Sequence, residues 1–285
     1  MAGPPHGLTT LLVLADGRLP AGGHAHSGGL EAAVAAGRVH DLATLEAFLR
    51  GRLATAGLVA AAFAAATTHR LTNARTTDTV KRLDTVAGLD SATGLDAARG
   101  LDSVTGPDTV TGFDSATGLD PAKALDTVEM LDAVRELDAG LDARTPSPAL
   151  RRASRAQGRA LLRAGRAMWT LAAGQAYSAN SDGPHQSVAL GVVAAAAGLP
   201  PGHAALVAAY GSVSGSASAA VRVLGLDPYP VHGLLARLAT ACDETADRAA
   251  NVAHLGVSDL PAASAPLLDI SAEDHSAWEV RLFAS

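Results

Sequence analysis

The chain reads as an all-α protein, and three observations point there. No part of its body alternates apolar and polar residues with period two over several segments, as a half-buried sheet would require. Where apolar residues recur, as at Leu42, Leu45, Phe48, Leu49 and Leu53, the intervals are three and four residues, which line one face of a helix. Hydrophobic residues make up 48% of the chain but aromatics only 3%, so alanine and leucine must fill the core, and small side chains let helices approach closely. The expectation is a single helical domain over residues 1–285, of about eight to ten helices, carrying a long low-complexity insertion at 77–142.

In chain order, Leu8 to Ala15 is a short apolar run that periodicity leaves open between helix and strand. The stretch from Leu14 to Glu31 follows, dense in glycine, with Pro20, His24 and His26; such a loop turns sharply or lets another surface approach the main chain. Ser27 is the expected N-cap of a helix through Glu31 and Val34 that stops near Gly37. Asp41 caps the next helix, which can run to about Leu71 through the polyalanine-like segment Ala60 to Ala66.

From Thr77 a six-residue unit, Leu-Asp-Ser/Thr-Val/Ala-x-Gly, repeats with Asp at 78, 84, 90, 96, 102, 108, 114, 120, 126, 132 and 138. A left-handed β-helix uses that period, but each unit offers one large apolar residue, Pro107 and Pro121 interrupt, and stacked units would align like charges. The expectation is disorder for most of its length, with helix resuming over Val128 to Leu141. Between Thr77 and Asp142, twelve Asp and two Glu oppose two Lys and three Arg, so the insertion carries nine net negative charges, and the rest of the chain is at plus three against a total of −6.

Pro146 and Pro148 mark a turn before a helix from Ala149 through Leu171, whose arginines, Arg151 to Arg166, are read as lying all around it. Gly174 to Pro184 is a polar loop, His185 to Gly198 a small-residue helix, and Ala204 to Leu224 one helix or a pair. Asp227 to Pro230 is read as a turn, Val231 to Ala253 as a helix, Asp259 to Pro266 as a loop, and Ser271 as the cap of a last short helix through Trp278. Arg222, in an apolar context, should be paired or pointed at a partner.

Several chemistries fail on the residues. Gly23 and Gly28 have phosphate-loop spacing, but Gly29-Leu30 stands where Lys-Ser/Thr belongs. His24 and His26 are weak metal candidates, because nothing nearby completes a ligand set. Ser27 beside His26 lacks a triad geometry, and Val213 fills the serine position of the only G-x-S-x-G-like stretch, so no enzyme is expected. The basic cluster has no interleaved aromatics, which argues against nucleic acid. Apolar runs such as Leu58 to Ala66 fall short of the roughly 20 residues that span a bilayer, and the start of the chain does not resemble a secretory signal. The lone Cys242 rules out an internal disulfide and fits a reducing compartment, so the expected location is cytoplasmic.

The segment Leu19-Pro20-Ala21-Gly22-Gly23-His24-Ala25-His26-Ser27-Gly28-Gly29-Leu30-Glu31 resembles the P-x-G-G-F-x-H-S-x-G-L-E segment of the urease accessory protein UreF family, with His24 where the family usually has an aromatic. Ser154 to Leu162, His185 to Gly191, Ala219 to Arg222 and Arg281 to Ser285 resemble later family landmarks in the same order, Ala284 departing from a common basic residue. The resemblance covers residues 8 to about 75 and about 137 to 285. It implies helix for Leu8 to Ala15. It also implies a non-catalytic adaptor, dimeric within its complex, that bridges UreD (UreH) and the GTPase UreG and assists nickel insertion into apo-urease. Nickel would be cargo, with no permanently bound cofactor. Partner-binding residues would be Gly22, Gly23, His26, Ser27, Gly28, Glu31, Arg222, Arg281, Leu282, Phe283 and Ser285. The tail is expected to be mobile in the isolated chain and to dock into UreD through Leu282 and Phe283, and the loop glycines to serve an interface. The alternatives are a histidine-based nickel carrier or small metal-dependent enzyme using His24, His26 and His275, and an unrelated scaffold working through the repeat.

Overall fold

The computed structural model describes residues 7–74, 121–171 and 182–284, and among them finds nine helices and no strand. Repeat units before Pro121, most of the loop at 174–184, and Ser285 lie outside the described residues. Helix α1, Gly7–Ala15, buries Leu14 and exposes Leu8 and Leu12. Helix α2, Leu30–Ala35, starts after Gly29 at φ 86°, so Ser27 is not its N-cap residue; the Ser27 hydroxyl accepts the Glu31 N–H at 3.3 Å from just ahead of the first turn. Helix α3 runs Leu42–Ala74. Asp41 accepts the Thr44 N–H at 2.8 Å and Thr44 accepts the Asp41 N–H at 3.0 Å, a reciprocal cap, of the kind that contributes about 1 kcal/mol. A π turn, Leu53–Gly57, interrupts α3 immediately after Arg52.

Helix α4, Pro121–Ala143, begins ahead of Val128, where helix was expected to resume. The last repeat units are helical, and Val134, Leu137 and Leu141 sit in the core. The reason is local: glycine thins out after Gly118, and apolar residues then fall at helical spacing. Helix α5, Pro148–Met168, starts from Ser147, whose hydroxyl accepts the Leu150 N–H at 3.1 Å and donates to Glu273. Its arginines do not surround it. Arg152, Arg155, Arg159, Arg163 and Arg166 recur at three and four residues along one side, next to the buried stripe of Gly158, Leu161, Leu162 and Gly165. Helix α6, Gln186–Ala196, is buried along nearly all its length.

Helices α7, Pro201–Leu224, and α8, Pro228–Asn251, form a hairpin closed by Gly225 at φ 65°. The segment read as a turn at 227–230 is the first turn of α8, with Asp227 accepting the Tyr229 N–H at 2.9 Å; prolines suit a first turn, where N–H groups lack intrahelical partners. Helix α9, Pro266–Ser276, places Ser271 mid-helix, where its hydroxyl accepts from Arg38 rather than capping.

Two apolar clusters share α3 and α7. Phe63, Leu137, Leu162 and Val193 centre one, and Leu45, Leu49, Leu234 and Leu238 the other. Along α3, every residue from Ala61 to Ala66 is buried, so the alanine run is where helices meet from several sides. Helices α3 and α7 are also long and apolar enough to cross a membrane, beyond what the short apolar runs suggested; half of each such window is buried inside the bundle. Cys242 packs in the second cluster, its thiol pushed up to about 11 by burial and by Asp243.

Candidate functional site

His275 and the C-terminal tail converge on one carboxylate, Glu31, 244 to 252 residues away in sequence, and Arg222 links that tail to the glycine loop. Glu31 is buried at the start of α2, and accepts the Leu282 N–H at 2.8 Å, the Phe283 N–H at 3.0 Å and His275 Nε2 at 2.9 Å. Burial pushes its carboxyl up, but the Leu282 amide, His275 and the Phe283 amide outweigh that and hold it below the ordinary glutamate range. Beyond it, the Ala284 N–H donates to the Ala25 carbonyl at 2.7 Å. The Phe283 ring is buried under the Arg222 guanidinium, 4.6 Å from the ring centroid, and Arg222 Nη1 lies 3.5 Å from the His24 carbonyl.

The tail is therefore docked on its own chain rather than mobile. Two exposed aliphatics would have given it no reason to order, but a buried carboxylate that collects two main-chain amides does. The outer residues remain open: Val280 is 87% and Leu282 62% exposed, and Arg281 donates to the Ser276 carbonyl at 3.2 Å. Gly23 and His24 are exposed beside them. Ser27, Glu31 and Phe283 are buried and shape this surface from beneath.

The two glycines differ. A side chain at Gly23 would meet nothing within 4 Å, whereas one at Gly28, already at φ +65°, would lie 2.7 Å from the Ser216 hydroxyl and 2.9 Å from Arg52. Gly28 is thus a scaffold glycine, and only Gly23 fits the interface expectation on both counts. Gly22 takes φ 77° at the entry to the short turn Gly23–Ala25.

Among the described residues no three His, Cys, Asp or Glu side chains converge. His275 is committed to Glu31 and stacks on Trp278 at 4.7 Å, and His26 is pushed below the ordinary histidine range by burial and by His24.

A second polar cluster was not legible in the sequence. Arg155 on α5 donates to Asp138 and Asp142 of α4, both at 2.8 Å. Asp138 also accepts the His185 N–H at 2.8 Å, ahead of α6. The His185 ring, almost fully buried, lies 3.0 Å from both Asp142 and the Ser154 hydroxyl. A neutral ring satisfies both: Nε2–H donates to Asp142, and Nδ1 accepts the Ser154 proton. Burial, only partly offset by the aspartates, keeps the ring below the ordinary histidine range. Ser154, His185 and Asp142 thus stand in the hydrogen-bonded series of a catalytic triad, which adjacency in the sequence did not reveal. The surroundings give it another role. Ser154 accepts the Gln186 N–H at 3.1 Å at the start of α6, and Arg155 donates to Asp142 at 2.8 Å, so both groups are engaged in joining α4, α5 and α6. Gly158 belongs to the same junction, since a side chain there would lie 2.0 Å from the Pro184 carbonyl oxygen.

Between the two clusters lies a cavity of about 350 Å³, lined by the glycine loop, Arg52, the Gly211 to Ser216 stretch of α7, and Ser154 and His185.

The UreF family model matches residues 118–239. The chain is 40% identical to the urease accessory protein UreF of Mycolicibacterium vanbaalenii over 98% of its own length and 99% of that protein's. At the same coverage it is 41% identical to the protein of that name from Mycobacterium marinum and 37% identical to the one from Mycobacterium tuberculosis.

Proposed function

Because the chain belongs to the UreF family of urease accessory proteins, we propose that it acts in urease maturation as a non-catalytic adaptor bridging UreD (UreH) and UreG, and that it assists nickel insertion into apo-urease. It dimerises within that complex, and nickel is cargo. The observation that carries this reading is the docked tail: a buried clamp on Glu31 holds Val280, Arg281 and Leu282 outward as a fixed strip beside Gly23 and His24. An apolar pair flanking one cation on a pre-ordered backbone is a suitable anchor, because little ordering entropy remains to be lost on binding. The partner-binding residues are accordingly Gly22, Gly23, Arg222, Arg281 and Leu282 at the surface, with His26, Ser27, Gly28, Glu31 and Phe283 shaping it.

Co-purification of the full chain with UreD and UreG tests this. Removal of residues 281–285 should abolish UreD capture while far-UV circular dichroism stays helical. Undiminished capture by the truncated chain would remove the tail from the interface. Tight stoichiometric nickel binding by the isolated chain, lost on replacing His24 and His26, would favour the carrier alternative.

A further inference from the structure

Among the described residues, no acid answers the positive charge that Arg52 brings to the cavity. Arg52 donates Nε to the Ser212 carbonyl at 2.9 Å and Nη1 to the Gly28 carbonyl at 2.6 Å, both neutral acceptors. Among the described residues no carboxylate oxygen forms an ion pair with it, and its Nη2 makes no hydrogen bond. Burial alone pushes the guanidinium down to about 10. Its position is fixed by the π turn that follows it and by the missing side chain at Gly28.

The other charged groups around the cavity are engaged. Asp16 is tied to Arg18 at 3.0 Å. Asp269 accepts the Ser147 N–H, and burial pushes its carboxyl up. Arg144 spends its donors on the carbonyls of Gly140, Val257, Leu260 and Pro261. What remains of the wall pairs an aliphatic side, including Leu14, Leu19, Val59, Leu161 and Val207, with the hydroxyl-bearing Ser212, Ser214 and Ser216.

We propose that this cavity binds a small organic carboxylate, its head on Arg52 and its aliphatic body against the leucine and valine wall. A guanidinium fork matches a carboxylate, and a partly desolvated cation without a counter-charge gains most from receiving one. Such cavities take ligands by an apolar wall and a few placed polar groups. Inorganic phosphate finds the serines near Arg52 but leaves the aliphatic side of the cavity unfilled, which a carboxylate with a hydrocarbon body covers.

Calorimetric titration of the full chain with acetate, butanoate and hexanoate at constant ionic strength tests the assignment. Binding should saturate and tighten about fourfold for each buried methylene. Arg52→Gln should abolish it. Ala60→Leu, which fills the cavity from its apolar wall and leaves Arg52 in place, should weaken hexanoate more than acetate. No binding, equal affinity along the series, phosphate binding tighter than hexanoate, or binding that survives both substitutions would overturn the proposal.

Discussion

The clamp on Glu31 and the junction on Arg155 use the same chemistry, a partly or fully buried charge collecting donors or acceptors from distant segments, yet they hold different things. The Arg155 junction joins α4, α5 and the start of α6, and lies against the cluster centred on Phe63 and Leu162. The Glu31 clamp holds a terminus that contributes one buried apolar side chain, Phe283, and otherwise faces solvent. When a carboxylate's partner is a tail, breaking the contact lets both ends return to water. When it is a helix in the core, the stranded charges have nowhere to go.

Arg155→Leu is the sharpest test of this difference. It leaves Asp138, whose side chain is 12% exposed, without its cation, while Asp142, 40% exposed and 3.9 Å from Arg151, is screened, so the cost is about 3 kcal/mol, the low end for a buried pair, and the melting temperature should fall by roughly 6–12 °C. A fall of under about 2 °C would reduce the junction to the standing of a surface pair.

Acid should find the junction next. His185 has a folded-state pKa depressed by burial, so its contribution is fully present above the ordinary histidine value of about 6.5 and is lost as pH falls below it toward the folded value. Unfolding free energy measured by denaturant titration should decline below pH 6.5 by up to about 1.4 kcal/mol per pH unit. Glu31, whose pKa is also depressed, contributes stability present above about 4.3 and lost only as pH falls below that. Tail release should therefore follow, not precede, the loss of stability at the junction. Protease accessibility near residue 280, scanned from pH 7 to 3, reports the order.

Glu31→Ala should cost only about 1 kcal/mol, or 2–4 °C, because the freed amides reach water. It should nonetheless release the tail to proteolysis and weaken UreD capture. Smallest of all, Gly23→Ala should leave the melting temperature within about 1 °C, since nothing stands near the added methyl group. If it weakens partner capture at unchanged stability, the exposed half of the loop is confirmed as contact surface rather than scaffold.

Much of this molecule could be read from the letters, because the relevant physics is local. Apolar spacing along α3, the Asp41 cap, the Gly198 and Gly225 stops and the loss of glycine near the end of the repeat all act within a few residues. Those features determined the all-α class and placed most helices. The family resemblance also picked out the glycine loop, Arg222 and the tail that form the clamp, though not the contacts among them. What they could not give was pairing. Glu31 meets His275, Leu282 and Phe283 across more than 240 residues, and Asp138 meets His185 across 47. The same Asp opens a repeat unit that looked like solvated low complexity, and nothing in the unit distinguishes Asp138 from Asp132, which stays on the surface with Arg135. Only the packing of α4 against the rest of the bundle decides which carboxylate is buried. A buried charge must then find whichever donors that packing brings within about 3 Å. Arg52 shows the other outcome of the same rule, a charge that packing brought to a cavity where, among the described residues, neutral carbonyls answer it.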